Sequence, residues 1–576
     1  MSFSNLIFYD TETTGIQKDF SQILQCGSVL TDRNLRTIDE QNIGCAPLPW
    51  VIPQPMAMLT NKKVDLFNSN ISHYQMMKDI QTQWKQWSAQ SPSVFITYNG
   101  HAFDEELIRR QFFWNLLEPY TTNTNGNGRL DLMLMMHNIA AFFSEEISIP
   151  LFEGGPGISY KLEHLAQEHG IDAGDAHDAI ADCNLMIELC LIIQQKLPEL
   201  FQSFIDTATK PGIKDLLYAD EFLALGEIHR RHTFKYPVVL CGSDASRPNE
   251  IVFFDLSYDP DDILDLDYAE INKLVQSKGR DGPLKKYKIN KTIPVCSHKL
   301  LKNRDAFDIE FSELQRRADI IKSDKDFQQK VSQAMEDRLM DYPESEYIEG
   351  TIYSGGFPSY KDKDLMQEFH LSSDPAYLIK ISRNFEDERL RLFAERIICN
   401  QFSANIPDDI QKRYQDLITQ RNTDEGPWGS LEKTLIQIQK LLDERTEQED
   451  QQIFNPDNVI VVEVGITTRQ ATVVREENQQ VVHVDGAIAV QVGLTSLGVG
   501  APGRRARRVL VEGGAGHVLD HALGLVLQVK QHLKAAFRRE LPQQNAPVYA
   551  HQPRVGGVGQ DEPRATHRVI EHQVAS

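Results

Sequence analysis

Short apolar runs alternate with amphipathic stretches over the first third of the chain. The runs are Leu6–Tyr9, a second near 28–32 (SVLTD) and a third at 93–99 (SVFITYN). Helical spacing follows Asp104 and recurs around 178–196, so residues 1–196 read as an α/β domain. From 197 to 348 the pattern shifts to β-like runs, PVVLCG at 237–242 and EIVFFDLS at 250–257, mixed with helices. A second domain with a β core is expected there. Between 349 and 455 the chain is mostly helical: Leu390, Phe393, Ala394, Ile397 and Ile398 share one helical face, and Leu431, Leu435, Ile438 and Leu442 repeat the stripe. Both stripes are core-forming.

Residues 456–576 break with this pattern. Beyond residue 458 there are 22 Val, 11 Arg against 2 Lys, and 7 of the chain's 17 His, with no Cys, Met or Trp. Before that point Lys outnumbers Arg, 27 to 20. The tail reads as the product of a different reading frame or a mis-assembled gene end and predicts at most loose structure; resequencing the locus tests this. The alternative is a genuine basic extension in which RRARR at 504–508 contacts phosphate.

At 576 residues the chain exceeds what one core usually serves. Its 41% hydrophobic and 25% charged residues are those of a soluble globular protein. No apolar stretch reaches the roughly 18 residues of a membrane span, and no basic-then-apolar leader opens the chain, so a cytoplasmic protein is expected. The seven cysteines are scattered and include no C-x-x-C pair, which fits reduced thiols. A net charge of −22 argues against a nucleic-acid partner, yet Lys273–Arg304 carries ten Lys or Arg and one acid, Asp281. Tyr287, Ile289 and Ile293, threaded through this patch, suggest strands that present lysines; a solvated loop is the alternative.

Chemistry concentrates in the first domain. Asp10 and Glu12 lie in FYDTETTG at 8–15, and a strand ending in D-x-E aims both carboxylates to one face. YNGHAFDEELIRR at 98–110 places Asp104 at a helix start, and HDAIAD at 177–182 supplies His177 and Asp182. Singly, each has a plain structural role: Asp104 as a helix N-cap, Asp182 as a solvent-facing helix residue, His177 as a hydrogen-bonder, Asp178 as an acid favouring the helix dipole. Together, four crowded carboxylates repel one another unless cations neutralise them. Two divalent ions resolve that conflict and suit phosphodiester hydrolysis, with a histidine near neutrality taking the proton of the attacking water.

FYDTETTG, N-x-x-x-FD and H-x-A-x-x-D resemble the three motifs of the DEDD superfamily of 3′→5′ exonucleases, in the subgroup with a motif-three histidine. Further segments, PQPMAMLT at 53–60, SYKLEHLAQEHGI at 159–171, KINK at 288–291, YSGGF at 353–357 and FEDERLRLFAERIICNQF at 385–402, are similar to the exodeoxyribonuclease I family, over about residues 1–455. The resemblance implies a ribonuclease-H-like nuclease domain, an SH3-like middle domain built on a small barrel, and a helical C-terminal domain. It implies 3′→5′ hydrolysis of single-stranded DNA to 5′-mononucleotides in DNA repair, with two Mg²⁺ ions held by Asp10, Glu12, Asp104 and Asp182, and His177 as general base. It also implies a monomer that a single-strand DNA-binding protein can recruit. Substrate contacts would fall on Glu12, Asn99, Arg109, Tyr160, Lys161, Lys288 and Lys291. Lys161 departs from the family, which has an arginine there, and loses the bidentate fork for phosphate. An RNA-trimming or proofreading exonuclease, and a DNA-binding protein with a decayed site, remain the rival readings.

Overall fold

The computed structural model describes residues 3–172, 178–277, 282–301, 304–338, 344–402 and 405–452, with side chains to 444, and the backbone of 460–467 and 489–496. Five strands form the first sheet: β1 (Asn5–Thr13), β2 (Ile23–Asp32), β3 (Thr37–Gly44), β4 (Ser93–Thr97) and β5 (Gly128–Asp131), in the order β3-β2-β1-β4-β5. The β1–β2 and β2–β3 pairs are antiparallel, whereas β1–β4 and β4–β5 are parallel. Strand alternation sends Leu6 and Phe8 of β1 into a core with the helices Leu132–Phe142 and Ala179–Lys196. Ile7 and Tyr9 enter the opposite core, with His73–Trp87 and Asp104–Trp114. Both faces of the sheet are covered, which is why β1 reads as a continuous apolar run.

A second sheet contains β6 (Leu223–His229), β7 (His232–Ser243), β8 (Glu250–Asp255), β9 (Leu284–Lys288) and β10 (Val295–Ser297), ordered β10-β6-β7-β8-β9 and antiparallel throughout. The expected small barrel is thus a five-stranded sheet with β10 and β9 at its ends. Ala224, Cys296 and Leu301 of this region join the core of the first domain. The helices Tyr360–Leu371, Pro375–Ser382, Glu388–Gln401, Asp408–Thr423 and Leu431–Gln452 form the third region, and the Leu390, Phe393, Ile397 stripe packs against Phe113 and Trp114. All seven cysteines are free. Among the described residues no helix is long and apolar enough to cross a membrane. Within the tail, β11 (Ile460–Thr467) and β12 (Ala489–Ser496) pair antiparallel, more order than the composition suggested, while the rest of 453–576 lies outside the described residues.

Candidate active site

The pairing of β1 with β2 places Asp10 opposite Gly27. A Cβ on Gly27 would come within 2.5 Å of the Ala179 carbonyl carbon and the Ile180 nitrogen, so only glycine lets the helix Ala179–Lys196 approach the sheet this closely. That approach brings Asp182, in the helix's first turn, to Asp10 and Glu12: one carboxylate oxygen from each of the three lies within 4.8 Å of the others. Residues separated by 170 positions in the chain thereby share one site.

Asp178 is the N-cap of that helix, accepting hydrogen bonds from the Ile180 and Ala181 amides. Gln25 Nε2 also donates to its Oδ2 at 3.0 Å, and Lys63 Nζ reaches the same oxygen at 2.6 Å. Asp178 is therefore a structural acid, and burial, which pushes its pKa up, is outweighed by Lys63 and Gln25, which hold it below the usual range. Lys63 tempers Glu12 as well. Its role could not be read from the sequence, since it lies 115 residues from Asp178 and nothing local links the two.

Asp104 stands beside the close trio. It is buried at the start of its helix, and Thr11, whose side chain points to the opposite face from Asp10, donates to its Oδ1 at 2.5 Å. The loop before it is held by Asp131, whose two carboxylate oxygens accept from the Asn99 amide at 2.8 Å and the His101 amide at 3.1 Å. Asn99 adopts a left-handed φ of 60°, a conformation asparagine tolerates better than most residues. Behind Asp104, Glu105 accepts from Tyr9 at 2.7 Å, Thr122 at 2.6 Å, Arg109 at 2.7 Å and Arg129 at 2.9 Å. Burial pushes Glu105 up, but the two arginines overcome it and hold the carboxyl far below the usual range.

The site carboxylates shift the other way. Burial, then the charge of Asp104, raises Asp10 well above the ordinary range. Burial and Asp182 push Glu12 up to about 8, with Lys63 opposing, and burial raises Asp104 to about 6 against the Thr11 hydrogen bond. Half-buried, mutually repelling carboxylate oxygens converging within 4.8 Å fit hard divalent cations. The raised values mean that the metal-free native state binds more protons than the unfolded chain between the unfolded range near 4.5 and about 8. The stability these carboxyls contribute is therefore fully present below that window and is lost as pH rises through it. We expect the melting temperature in EDTA to fall between about pH 5 and about pH 8.5, and the gain from excess divalent cation to be larger at the higher pH. A gain independent of pH would contradict the assignment.

The other residues singled out from the sequence are spread around this centre. His177 lies outside the described residues. Tyr160 stacks edge-on with His137 at 5.6 Å, and its carbonyl accepts from Tyr98. Lys161 is exposed and pairs with Glu163 at 3.1 Å. Arg109 is buried, with 7% exposure, against Glu105 and beneath the Tyr120 ring, which directs its guanidinium into the domain. The basic patch also divides. Lys285 turns inward to Asp255 and Tyr236, Lys286 binds the Val275 and Ser277 carbonyls, and Arg304 pairs with Glu146. Lys288 is exposed beside Glu250 at 3.3 Å, and Lys291 Nζ donates to the His101 carbonyl at 3.1 Å. Strand alternation and ion pairing thus use much of a charge that looks continuous in sequence.

Two family models match the chain: the exonuclease I SH3-like domain over residues 228–337 and the exonuclease I C-terminal domain over 346–455. Exodeoxyribonuclease I of Escherichia coli K12 is 24% identical over 473 residues, covering 77% of this chain and 95% of that protein. The same-named protein of Buchnera aphidicola subsp. Schizaphis graminum is 30% identical over 222 residues, 38% of this chain and 45% of its own length. Among solved structures, E. coli exonuclease I in complex with a dA16 oligonucleotide aligns with a TM-score of 0.66 at 22% identity, covering 78% and 96% of the two chains. A moderately thermophilic exonuclease I from Methylocaldum szegediense aligns with 0.64 at 24%, covering 76% and 94%.

Proposed function

We propose that this chain, which belongs to the exonuclease I family, hydrolyses single-stranded DNA stepwise from its 3′ end and releases 5′-mononucleotides. The observation that carries the chemistry is the convergence of Asp10, Glu12 and Asp182 within 4.8 Å, with Asp104 beside them. These four carboxylates would hold two divalent ions, Mg²⁺ in our reading, which when bound supply water activation and neutralisation of the leaving oxygen. Asp10 and Glu12 act from a rigid strand and Asp182 from a capped helix, so the ligands need little reorganisation. His177, one residue before the Asp178 cap, is assigned as the base that takes the proton of the attacking water. Asn99, Tyr160 and Lys161 are assigned to the terminal nucleotides, Lys161 as a point charge on phosphate. Arg109, paired with Glu105, is assigned to the same end through its helix.

Lys288 and Lys291 are assigned to the wall along which the strand enters. Replacing Lys288 with glutamine should weaken binding of a single-stranded oligonucleotide and reduce the slope of log affinity against log salt by ~1. An unchanged slope removes Lys288 from that wall.

We assign the protein to the cytoplasm and to DNA repair as a monomer, with a single-strand DNA-binding protein as a partner; sedimentation and a pull-down with that protein test the last two. The function itself is tested with 3′- and 5′-labelled single-stranded DNA, duplex DNA and RNA, with Mg²⁺ or EDTA. Mg²⁺-dependent release of mononucleotides from the 3′ end of single-stranded DNA is the expected result. Preferential degradation of RNA would favour the rival trimming activity.

A further inference from the structure

The turn between β9 and β10 leaves its own sheet and enters the nuclease-like domain. Ile289 and Ile293 are buried in the core of the middle domain and fix the turn's two ends. Between them, Asn290, Lys291 and Thr292 make four hydrogen bonds across the domain boundary. Arg129 Nη2 donates to the Asn290 carbonyl at 2.5 Å, and Lys291 Nζ to the His101 carbonyl at 3.1 Å. The Thr292 amide donates to His101 Nδ1 at 3.2 Å, and the Asp131 amide donates to Thr292 Oγ1 at 2.9 Å.

All four contacts land on the groups that hold Asp104. Asp131 fixes the 99–101 backbone from which the Asp104 helix starts, and Arg129 is one of the two arginines on Glu105, the residue after Asp104. Thr292 is itself buried, so its hydroxyl is a fixed acceptor with little access to solvent. Removing it would leave the Asp131 amide buried without a partner and free that residue's backbone to shift. His101 accepts the Thr292 amide at Nδ1, which requires the tautomer with its proton on Nε2, and burial, pushing its pKa down to about 3, keeps the ring neutral across the working range.

We propose that the 290–292 turn of the middle domain is a positioning element of the nuclease site, acting through Asp131 and His101 to set the Asp104 carboxylate for its metal. The middle domain then contributes to metal binding as well as to DNA binding. The inference rests on the metal-site reading above, and is tested by a measurement that does not require turnover.

Full-length Thr292→Val keeps the shape of the side chain and deletes the acceptor, whereas Thr292→Ser retains the hydroxyl. Mn²⁺ binding is measured by calorimetry without DNA, the Mg²⁺ concentration giving half-maximal hydrolysis by initial rates, and single-stranded DNA affinity in EDTA by anisotropy. Loss of such an outer partner typically weakens metal affinity by about 10–100-fold. Thr292→Val is expected to weaken Mn²⁺ binding and raise the Mg²⁺ requirement by about tenfold or more, with DNA affinity in EDTA within about twofold of wild type. Thr292→Ser should restore both metal readouts. Asp131→Asn, which loses one acceptor for the 99–101 amides, should shift the same two readouts in the same direction.

Unchanged Mn²⁺ binding in Thr292→Val and Asp131→Asn overturns the proposal. A parallel loss of DNA affinity in EDTA also overturns it, by making the turn a DNA contact. A wild-type protein that binds Mn²⁺ but does not cleave DNA would instead sink the proposed function and leave the positioning role measurable.

Discussion

Alanine at Asp10 or at Asp182 is expected to abolish DNA hydrolysis, by ~10³-fold or more, equivalent to ~4 kcal/mol of transition-state stabilisation. Each residue contributes one of the three carboxylate oxygens that converge within 4.8 Å, so either change leaves a site that cannot hold its ion in place. Binding of single-stranded DNA in EDTA should stay close to wild type, because neither side chain supplies positive charge. The same substitutions should raise the melting temperature of the metal-free protein near pH 8. Half-buried Asp10 is repelled by the charges of Asp104, Asp182 and Glu12, and deleting one of four repelling groups relieves the repulsion that lifts their pKa values. Loss of activity with a gain in apo stability separates a metal site from a misfolded variant. Near-normal turnover in either variant, measured on a 5′-labelled oligonucleotide, would refute the assignment.

Glu105→Ala is expected to have the largest effect on stability, a loss of ~3–5 kcal/mol by denaturant unfolding, the usual consequence of removing one partner from a buried ionic cluster. The Glu105 carboxylate is buried and accepts from Tyr9, Thr122, Arg109 and Arg129. Its removal strands two guanidiniums in the interior, where Arg109 Nε already has no partner among the described residues. Glu105→Gln should lose less, since the amide oxygen can still accept, although its NH2 replaces one of the two acceptor oxygens and the charge is lost. Because Glu105 adjoins Asp104, both variants should also need more metal for half-maximal activity. A loss below ~1 kcal/mol in Glu105→Ala would mean that water replaces the carboxylate around the arginines.

Much of the site was legible because its parts are local. D-x-E on a strand puts Asp10 and Glu12 on one face by the period of two, and Thr11 between them necessarily points to the other, where it meets Asp104. The helical stripe at 390–398 was equally plain, and its partner surface, Phe113 and Trp114, was not. Arg109 shows what local reading leaves out. The family resemblance implies a DNA contact for it, and the structure adds that it lies four residues after Glu105 on one helix and pairs with it in the interior. The i,i+4 acid and base were visible in the sequence; that both would be buried was not. The basic run at 273–304 divides similarly, because the ion pairs that occupy Lys285 and Arg304 come from Asp255 and Glu146, far along the chain.

By itself, then, the sequence picked out the carboxylates of the candidate site and the kinds of element on which they stand, since strand and helix periods act over a few residues. Tertiary structure decided whether those groups meet. Gly27 admits the Asp182 helix to the sheet, Lys63 tempers the acidic cluster, and Thr292, 161 positions from Asp131, supports the loop that leads to Asp104. Such contacts depend on close approach between distant segments, and no local pattern of hydrophobic and polar residues encodes that distance.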